Sequence, residues 1–372
     1  MPTRRLTLTA LTVLSMVTAV PKLSPALVRA RSSPTQAPPP GRYDQGRPRP
    51  TPEAALFQPR LDPLLQPYRP LHTNLKGALK GMASDILPGL AKLWIEGFER
   101  FHPGITIACD PPYGGRIGAV ELIDGKIDFA LVSRELIPTD REQFKARFGY
   151  EPLSIPVSGG SFRLFGFLDA IAIIASRDNP VEKITLAQFD AAFSQTRHLG
   201  KAPLRTWGDL GLTGAWAARP VKPIGVKPWN GFEEFMRQRA LSGDGRRGEW
   251  RTDIPTDELV FPMTTHVSRD EEAISFTGMS FLMGGVKTLA VARDEHGPYV
   301  TPTFENVANW SYPLARVFYI NVNRKPGAPL DPVLDEFIRF ILSRDGQALI
   351  VKDALFLPLS ANLTAKSRTF LD

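Results

Sequence analysis

The stretch from Leu75 to Asp110 limits the possible folds more than any other part of the chain. In LKGMASDILPGLAKLWIEGFERFHPGITIACD an extended run leads into a helix-period run and then back into an extended one. Ile86, Leu87, Leu90, Leu93, Trp94 and Phe98 share one apolar face at 3.6-residue spacing. Ser84 has the side chain of an N-cap, Asp85 suits a first turn, and Pro88 is tolerated that early. His102-Pro103-Gly104 stops the helix. Strand, helix and strand in this order predict parallel strands with helices packed on their faces, an α/β architecture.

The grammar repeats. Gly114-Gly115-Arg116-Ile117-Gly118 opens a helix-period run that ends at Asp124-Gly125, and a short apolar strand, Ile127 to Val132, runs into Ser133-Arg134. A glycine-rich helix opening beside a strand-end hydroxyl and guanidinium has the parts of an anion site. Further on, helices are expected at Pro138–Ala146, Leu186–Phe193, Phe232–Leu241, Glu271–Ile274 and Pro332–Leu342. Strands are expected over Phe162–Ser176, Ile224–Val226, Ser275–Gly285 and Tyr312–Val322.

The part before this grammar differs in kind. Met1 to Ala30 has a basic start, Arg4-Arg5, then the apolar run LTLTALTVLSMVTAV, then Val28-Arg29-Ala30, and so reads as a cleaved export signal. Thirteen prolines between Pro21 and Pro70 predict an extended tether over residues 31–74. The sequence pI of about 9.5 invites a nucleic-acid reading until the charge is located. Residues 1–76 hold eleven Lys/Arg against three acids, +8, whereas the whole chain carries +7, so the remainder is −1. The folded part is near neutral, and no nucleic-acid partner is expected. A single cysteine, Cys109, excludes an internal disulfide and is read as a buried apolar residue at a strand end.

Enzyme signatures are missing from the pattern. The five histidines show no metal-ligand spacing, Gly278-Met279-Ser280-Phe281-Leu282 lacks the second glycine of a nucleophile elbow, and Val286-Lys287-Thr288 is not a P-loop. Glu233-Glu234 and Glu271-Glu272 read as exposed helix faces. Neither an enzyme nor a cofactor or metal site is expected.

Three phrases carry a resemblance. SYPLARVFYINVNRKPGAPLDPVLDEFIRFILSRDGQALIVKDALFLPLS, DGKIDFALVSREL and AIAIIASRDNPVEKITLAQFDAAFS together resemble periplasmic substrate-binding proteins of the phosphate ABC-transporter type. The likeness spans about Leu75 to Ser360. It implies a two-lobed periplasmic-binding-protein fold, each lobe a mainly parallel sheet flanked by helices, joined by two crossover strands near Phe165–Ile174 and Leu314–Ile320. Lobe 1 would combine residues 75–168 with 315–372, and lobe 2 would run over 169–314. The implied function is capture of a small oxyanion, phosphate first, in the inter-lobe cleft for an ABC permease in the inner membrane. The protein would act as a periplasmic monomer.

The family's contact positions transfer in part. Its first contact turn resembles Ser84-Asp85-Ile86, and its strand-end serine is Ser133, followed by Arg134. Its hydroxyl-rich glycine turn matches Gly114, Gly115 and Arg116, where both hydroxyls are gone. Its second-lobe helix opening matches Asn230, Gly231 and Phe232, again without serine or threonine. A hydrogen bond to a charged group is worth about 1.5–3 kcal/mol, so these losses predict weakened binding unless arginine or backbone N–H groups compensate. With arginine at position 134, relaxed discrimination between phosphate and sulfate is also expected. Each position has a plainer reading. Arg134 can bridge to Glu135 or Asp128, Arg116 can be a solvated loop residue, and Asn230-Gly231 can be a turn. The alternative function is a sensor or partner-binding module of the same fold with an altered ligand, an organic phosphate or another anion.

Overall fold

The strand–helix–strand reading is realised as β1 (Gly77–Ala83), α1 (Pro88–Phe101) and β2 (Ile105–Asp110). The computed structural model describes residues 58–372 apart from 85, 111–113, 165–167 and 229–230, so the expected export signal lies outside the described residues. Then come α2 (Gly114–Ile123), β3 (Phe129–Val132), α3 (Pro138–Phe148) and β4 (Leu153–Gly159). Helix α1 starts later than the sequence suggests. Pro88 occupies its first turn, where a missing N–H costs nothing, and Leu87 is the N-cap. Ser84 instead turns the corner: its N–H donates to Leu131 O at 2.8 Å and its carbonyl accepts from Leu87 N at 2.8 Å.

Strands β1 to β4 run the same way in one five-stranded sheet, order β2-β1-β3-β13-β4. The reversed member, β13 (Val317–Val322), comes from far along the chain and pairs antiparallel with both β3 and β4. Helices α8 (Pro332–Ile341), α9 (Arg344–Asp353) and α10 (Ala361–Arg368) follow it. The core of this sheet includes Trp94, Phe98, Phe129, Phe318, Phe337 and Ile341, all buried, with Cys109 partly buried against it.

A second core is built from the intervening chain. Strands β5 (Ile171–Ser176) and β10 (Ala273–Gly278) are buried along their whole length. With β7 (Lys222–Pro223) and β11 (Val286–Thr288) they make a sheet ordered β11-β5-β10-β7. Helix α4 (Leu186–Phe193) is capped by Thr185, whose hydroxyl accepts from Gln188 N at 3.0 Å. Its Phe189 and Phe193 stack at 4.1 Å against the sheet's Phe276. Helix α5 (Gly231–Met236) widens into a π-turn, Arg237–Leu241, and α6 (Met263–Ser268), α7 (Phe304–Ala308) and the strand pairs β6 (Lys183–Thr185) with β12 (Ala290–Ala292) and β8 (Gly225–Val226) with β9 (Thr256–Asp257) complete this part.

Several expectations are corrected. In the second sheet, β5 pairs antiparallel with β10 and β11, and only β10–β7 is parallel. Strands buried on both faces read as continuous apolar runs whatever their direction, so the sequence did not carry this. The run from Phe162 is not one strand: Ser161 and Asp169 form an isolated bridge, Leu168 has φ +42°, and pairing resumes at Ile171. Glu271–Ile274 is not helical, since β10 begins at Ala273 and Glu272 accepts from Arg219 Nε at 2.9 Å.

The tether, too, ends sooner than expected. Leu65 and Tyr68 are buried, and Tyr68 OH donates to Glu336 Oε2 at 2.6 Å, with His102 Nε2 2.8 Å away. Glu336 Oε1 accepts from His72 N at 2.7 Å, and Asp345 accepts from Tyr68 N at 2.7 Å. A proline-rich composition hid one tyrosine that fills a niche between α1 and α8.

Two predictions come from this packing. A Cβ on Gly81 would lie 2.2 Å from the buried Phe129 ring, so Gly81→Ala should cost about 1–3 kcal/mol, read as a lower urea midpoint at unchanged slope. Burial pushes the His102 imidazole below its ordinary value of 6.5, against a smaller opposing pull from Glu336. The unfolded chain therefore gains its proton first on acidification, so stability is full above about pH 6.5 and falls below it. His102→Asn should flatten that part of the stability–pH curve between pH 7 and 5, measured by urea unfolding.

Candidate functional site

Because β1, β2 and β3 are parallel, their carboxyl ends share one edge of the first sheet, the edge where α/β proteins bind ligands. Ser84 leaves β1 there and Ser133 leaves β3. Their hydroxyl oxygens lie 3.3 Å apart, although 49 residues separate them in sequence. Ser84 is 3% exposed. Two hydroxyls at this distance can offer converging donors to a third atom.

Helix α2 opens on the same edge, just after β2, so Gly114, Gly115 and Arg116 form its first turn rather than a loop before it. The helix lies against β1 and β3 at Gly118, where a Cβ would make ordinary contact with Ala130 Cβ at 3.5 Å and Met82 Cβ at 3.6 Å. The backbone N–H groups of a helix's first turn are free to bind an anion. Asp85 and Asn230 lie outside the described residues.

Arg134 is committed within the protein. Its Nη1 donates to Glu135 O at 2.7 Å, and its Nη2 lies 3.5 Å from Asp140 Oδ2. Asp140 also accepts from Ile137 N at 3.4 Å, so the pair holds the turn before α3. The bridge expected to Glu135 or Asp128 thus goes to Asp140 instead. Asp128 accepts from Lys80 N at 2.7 Å.

On the other side, Gly231 opens α5 with open space where a Cβ would be, and Phe232 packs edge-on to Phe281 at 6.3 Å. The acids of α5 are not an exposed face. Glu233 is 2% exposed and accepts from Arg237 Nε at 2.7 Å, while Glu234 takes both ends of the Arg247 guanidinium at 2.6 and 2.7 Å. Burial pushes the Glu233 carboxyl up, and Arg237 pulls it back. This network fixes the helix on its core.

Sequence reasoning missed the residues that tie the two cores together. Glu135, just past β3, pairs with Arg239 of the π-turn and accepts from Tyr319 OH at 3.1 Å. Burial, then Glu135, raises the Tyr319 phenol. Arg293 stands close by, its affinity for a proton lowered by burial and by Arg239. Glu135, Arg239 and Arg293 line a cavity of about 680 Å³ with Arg141, Gln238 and Arg246. Charge spacing alone cannot find such a clasp, because its members are 104 and 184 residues apart. Among the described residues, no group of three or more His, Cys, Asp or Glu could hold a metal ion.

This fold and edge place the chain in a class. A family model described as a PBP superfamily domain matches residues 76–345, and the chain belongs to that superfamily. Within it the chain belongs to the family of the phosphate-binding protein PstS. The Pseudomonas aeruginosa protein of that name is 32% identical over 315 residues, covering 84% of this chain and 93% of the relative. Its Staphylococcus aureus namesake is 24% identical over 281 residues, covering 74% and 77%. Among solved structures, PstS from Borrelia burgdorferi superposes with a TM-score of 0.53 at 16% identity, over 77% of this chain and all of that one. An ABC-type phosphate transport receptor from Vibrio cholerae does so with a TM-score of 0.50 at 18% identity, over 76% and 100%.

The clasp yields a prediction. Glu135→Ala leaves Arg239 beside Arg293 without its acid, so it should lower stability by about 1 kcal/mol at low salt. The loss should shrink at high salt, and small-angle scattering should show a larger radius of gyration; thermal unfolding at two ionic strengths checks the first part.

Proposed function

We propose that the protein captures a small oxyanion, phosphate first, between two lobes and delivers it to the permease of an ABC transporter in the inner membrane. The observation that carries this reading is the meeting of Ser84 and Ser133 at the carboxyl edge of the parallel strands, in a chain 32% identical to a phosphate-binding protein PstS. Phosphate offers oxygens that accept from hydroxyls and from the first-turn N–H groups at Gly114 and Gly115. Asp85 and Arg116 would complete the first wall, with Asn230, Gly231 and Phe232 on the facing one. Arg134 would add positive charge there while its hydrogen bonds hold the turn to Asp140.

Two hydrophobic cores support a division into residues 75–168 with 315–372 and residues 169–314, with Phe162, Ala315 and Leu357 packing on the second core from outside that range and Trp310 touching both. The chain would act as a monomer in the periplasm after loss of residues 1–30. Binding of this kind uses hydrogen-bond donors and needs no general acid or base, so no catalysis is assigned. The commitment of Arg134 to Asp140 favours a second reading, in which the same fold senses an altered ligand such as an organic phosphate.

Titration calorimetry against phosphate, sulfate, molybdate and an organic phosphate tests this. Phosphate should bind saturably, with sulfate competing. Ser133→Ala should weaken it by roughly ten- to a hundredfold, the worth of one hydrogen bond to a charged group. Response to the organic phosphate alone would select the second reading, and response to none would reject both.

A further inference from the structure

Arg316 is 4% exposed, yet its Nε and Nη1 have no hydrogen-bond partner. A buried guanidinium with donors unspent is costly, because the charge has left water and nothing in the fold has replaced it. Its acidic neighbours bond elsewhere: Asp169 Oδ2 accepts from Ser280 N and Oγ at 2.9 and 2.8 Å, and Glu135 is taken by Arg239 and Tyr319. Asp169 is itself fully buried and its Oδ1 has no partner. Burial lowers the Arg316 guanidinium to about 10, and the field of Asp169 and Glu135 acts the other way, so the side chain stays charged at neutral pH.

Its position is the informative part. In the antiparallel pairing of β13 with β3, Tyr319 lies opposite Val132, so the chain before β13 emerges at the edge where Ser133 and Glu135 leave β3. Arg316, three residues before Tyr319, stands at that edge. From the other core, Phe232 and Phe235 of α5 stack over its guanidinium at 5.3 and 4.7 Å. The Arg316 carbonyl accepts from Gly160 N at 2.8 Å, and a Cβ on Gly160 would sit 2.7 Å from the Arg316 Cβ, so the backbone at the crossover is fixed. An aromatic pair above and a locked backbone below leave this side chain few rotamers.

We infer that Arg316 is an anion-binding residue of the cleft, whose unspent N–H groups are taken by the oxygens of the bound oxyanion where the two cores meet. This rests on anion capture between the lobes and adds the cation that the substituted hydroxyl positions leave wanting. A planar, permanently charged donor packed against two rings suits a phosphate or sulfate group. The competing explanation is structural, with Arg316 serving as the counter-charge of Asp169 across a gap.

Calorimetry with inorganic phosphate on the purified protein, with Arg316→Met, Arg316→Lys and Arg316→Met/Asp169→Asn variants, separates these. Arg316→Met should weaken phosphate binding about a hundredfold or more, since more than one charge-assisted hydrogen bond is lost. Arg316→Lys, which keeps the charge and loses the fork, should weaken it about tenfold and serves if the methionine variant does not fold. Without phosphate, the melting temperature of Arg316→Met should stay level or rise, while the phosphate-induced rise of the wild type should vanish. Phosphate binding by Arg316→Met within threefold of wild type would overturn the inference and leave the cleft reading standing. So would a lower melting temperature of Arg316→Met that Asp169→Asn restores. A wild type that binds no oxyanion would overturn both.

Discussion

Everything in the first core depends on β13 being inserted, reversed, between β3 and β4. Its six residues pair with β4, from Gly159 to Leu153, and the last four of them, Tyr319 to Val322, also pair with β3, from Val132 to Phe129. Of the interior strands only β1 has both its neighbours early; β3 and β13 are not complete until the chain has made the whole second core and come back. Phe318, Ile320 and Val322 then enter the interior beside Phe129 and Phe337, where each buried side chain is worth about 1.5–3 kcal/mol. The consequence is mechanical as well as energetic. The two cores are joined by the segments flanking β4 and β13, and those segments lie next to one another: Gly160 N donates to Arg316 O and Ile171 N to Leu314 O.

The same insertion sets the chemistry of the edge. A strand running against its neighbours begins where they end, so the residue leading into β13 stands beside the residues leaving β1 and β3. Ser84, Ser133, Glu135 and Arg316 come from three separate stretches and share one edge for that reason alone. Tyr319, inside β13, reaches Glu135 and adds the strand itself to the clasp with Arg239. Position in the sheet decides what these residues can touch, and proximity in sequence does not.

That explains how far the sequence could be read. Periodicity reports local structure, and local structure was legible: the apolar face of α1, and the helices at Leu186–Phe193 and from Pro332 onward. The serines also stood out, because a hydroxyl just past a strand is a recognisable position. What failed depends on partners far away. Glu233 looked like half of an exposed acid pair because an acid with an arginine four residues on is the pattern of a solvated helix face, and only Trp250, 17 residues on, shows that this pair turns inward. Tyr68 looked like part of a tether because its value lies in Glu336, 268 residues on. Arg316 sits in an apolar run, where an arginine between Ala315 and Val317 reads as a strand residue facing solvent until burial is known.

The electrostatics of the edge can be weighed as a whole. Arg134 brings charge but has given its donors to Asp140 and to a backbone carbonyl, and a paired guanidinium offers an incoming anion less than a free one. Arg239 is likewise held by Glu135. Of these three arginines, Arg316 alone has fully buried nitrogens without a hydrogen-bond partner, and it is also the most deeply buried. Charge interactions strengthen as the local dielectric falls, so an unspent donor in the interior is worth more to an anion than several on the surface. On the proposed reading, a buried cation left unpaired would offset the hydroxyls that the resemblance expects and this chain lacks around Gly115 and Asn230, at a cost to the stability of the fold.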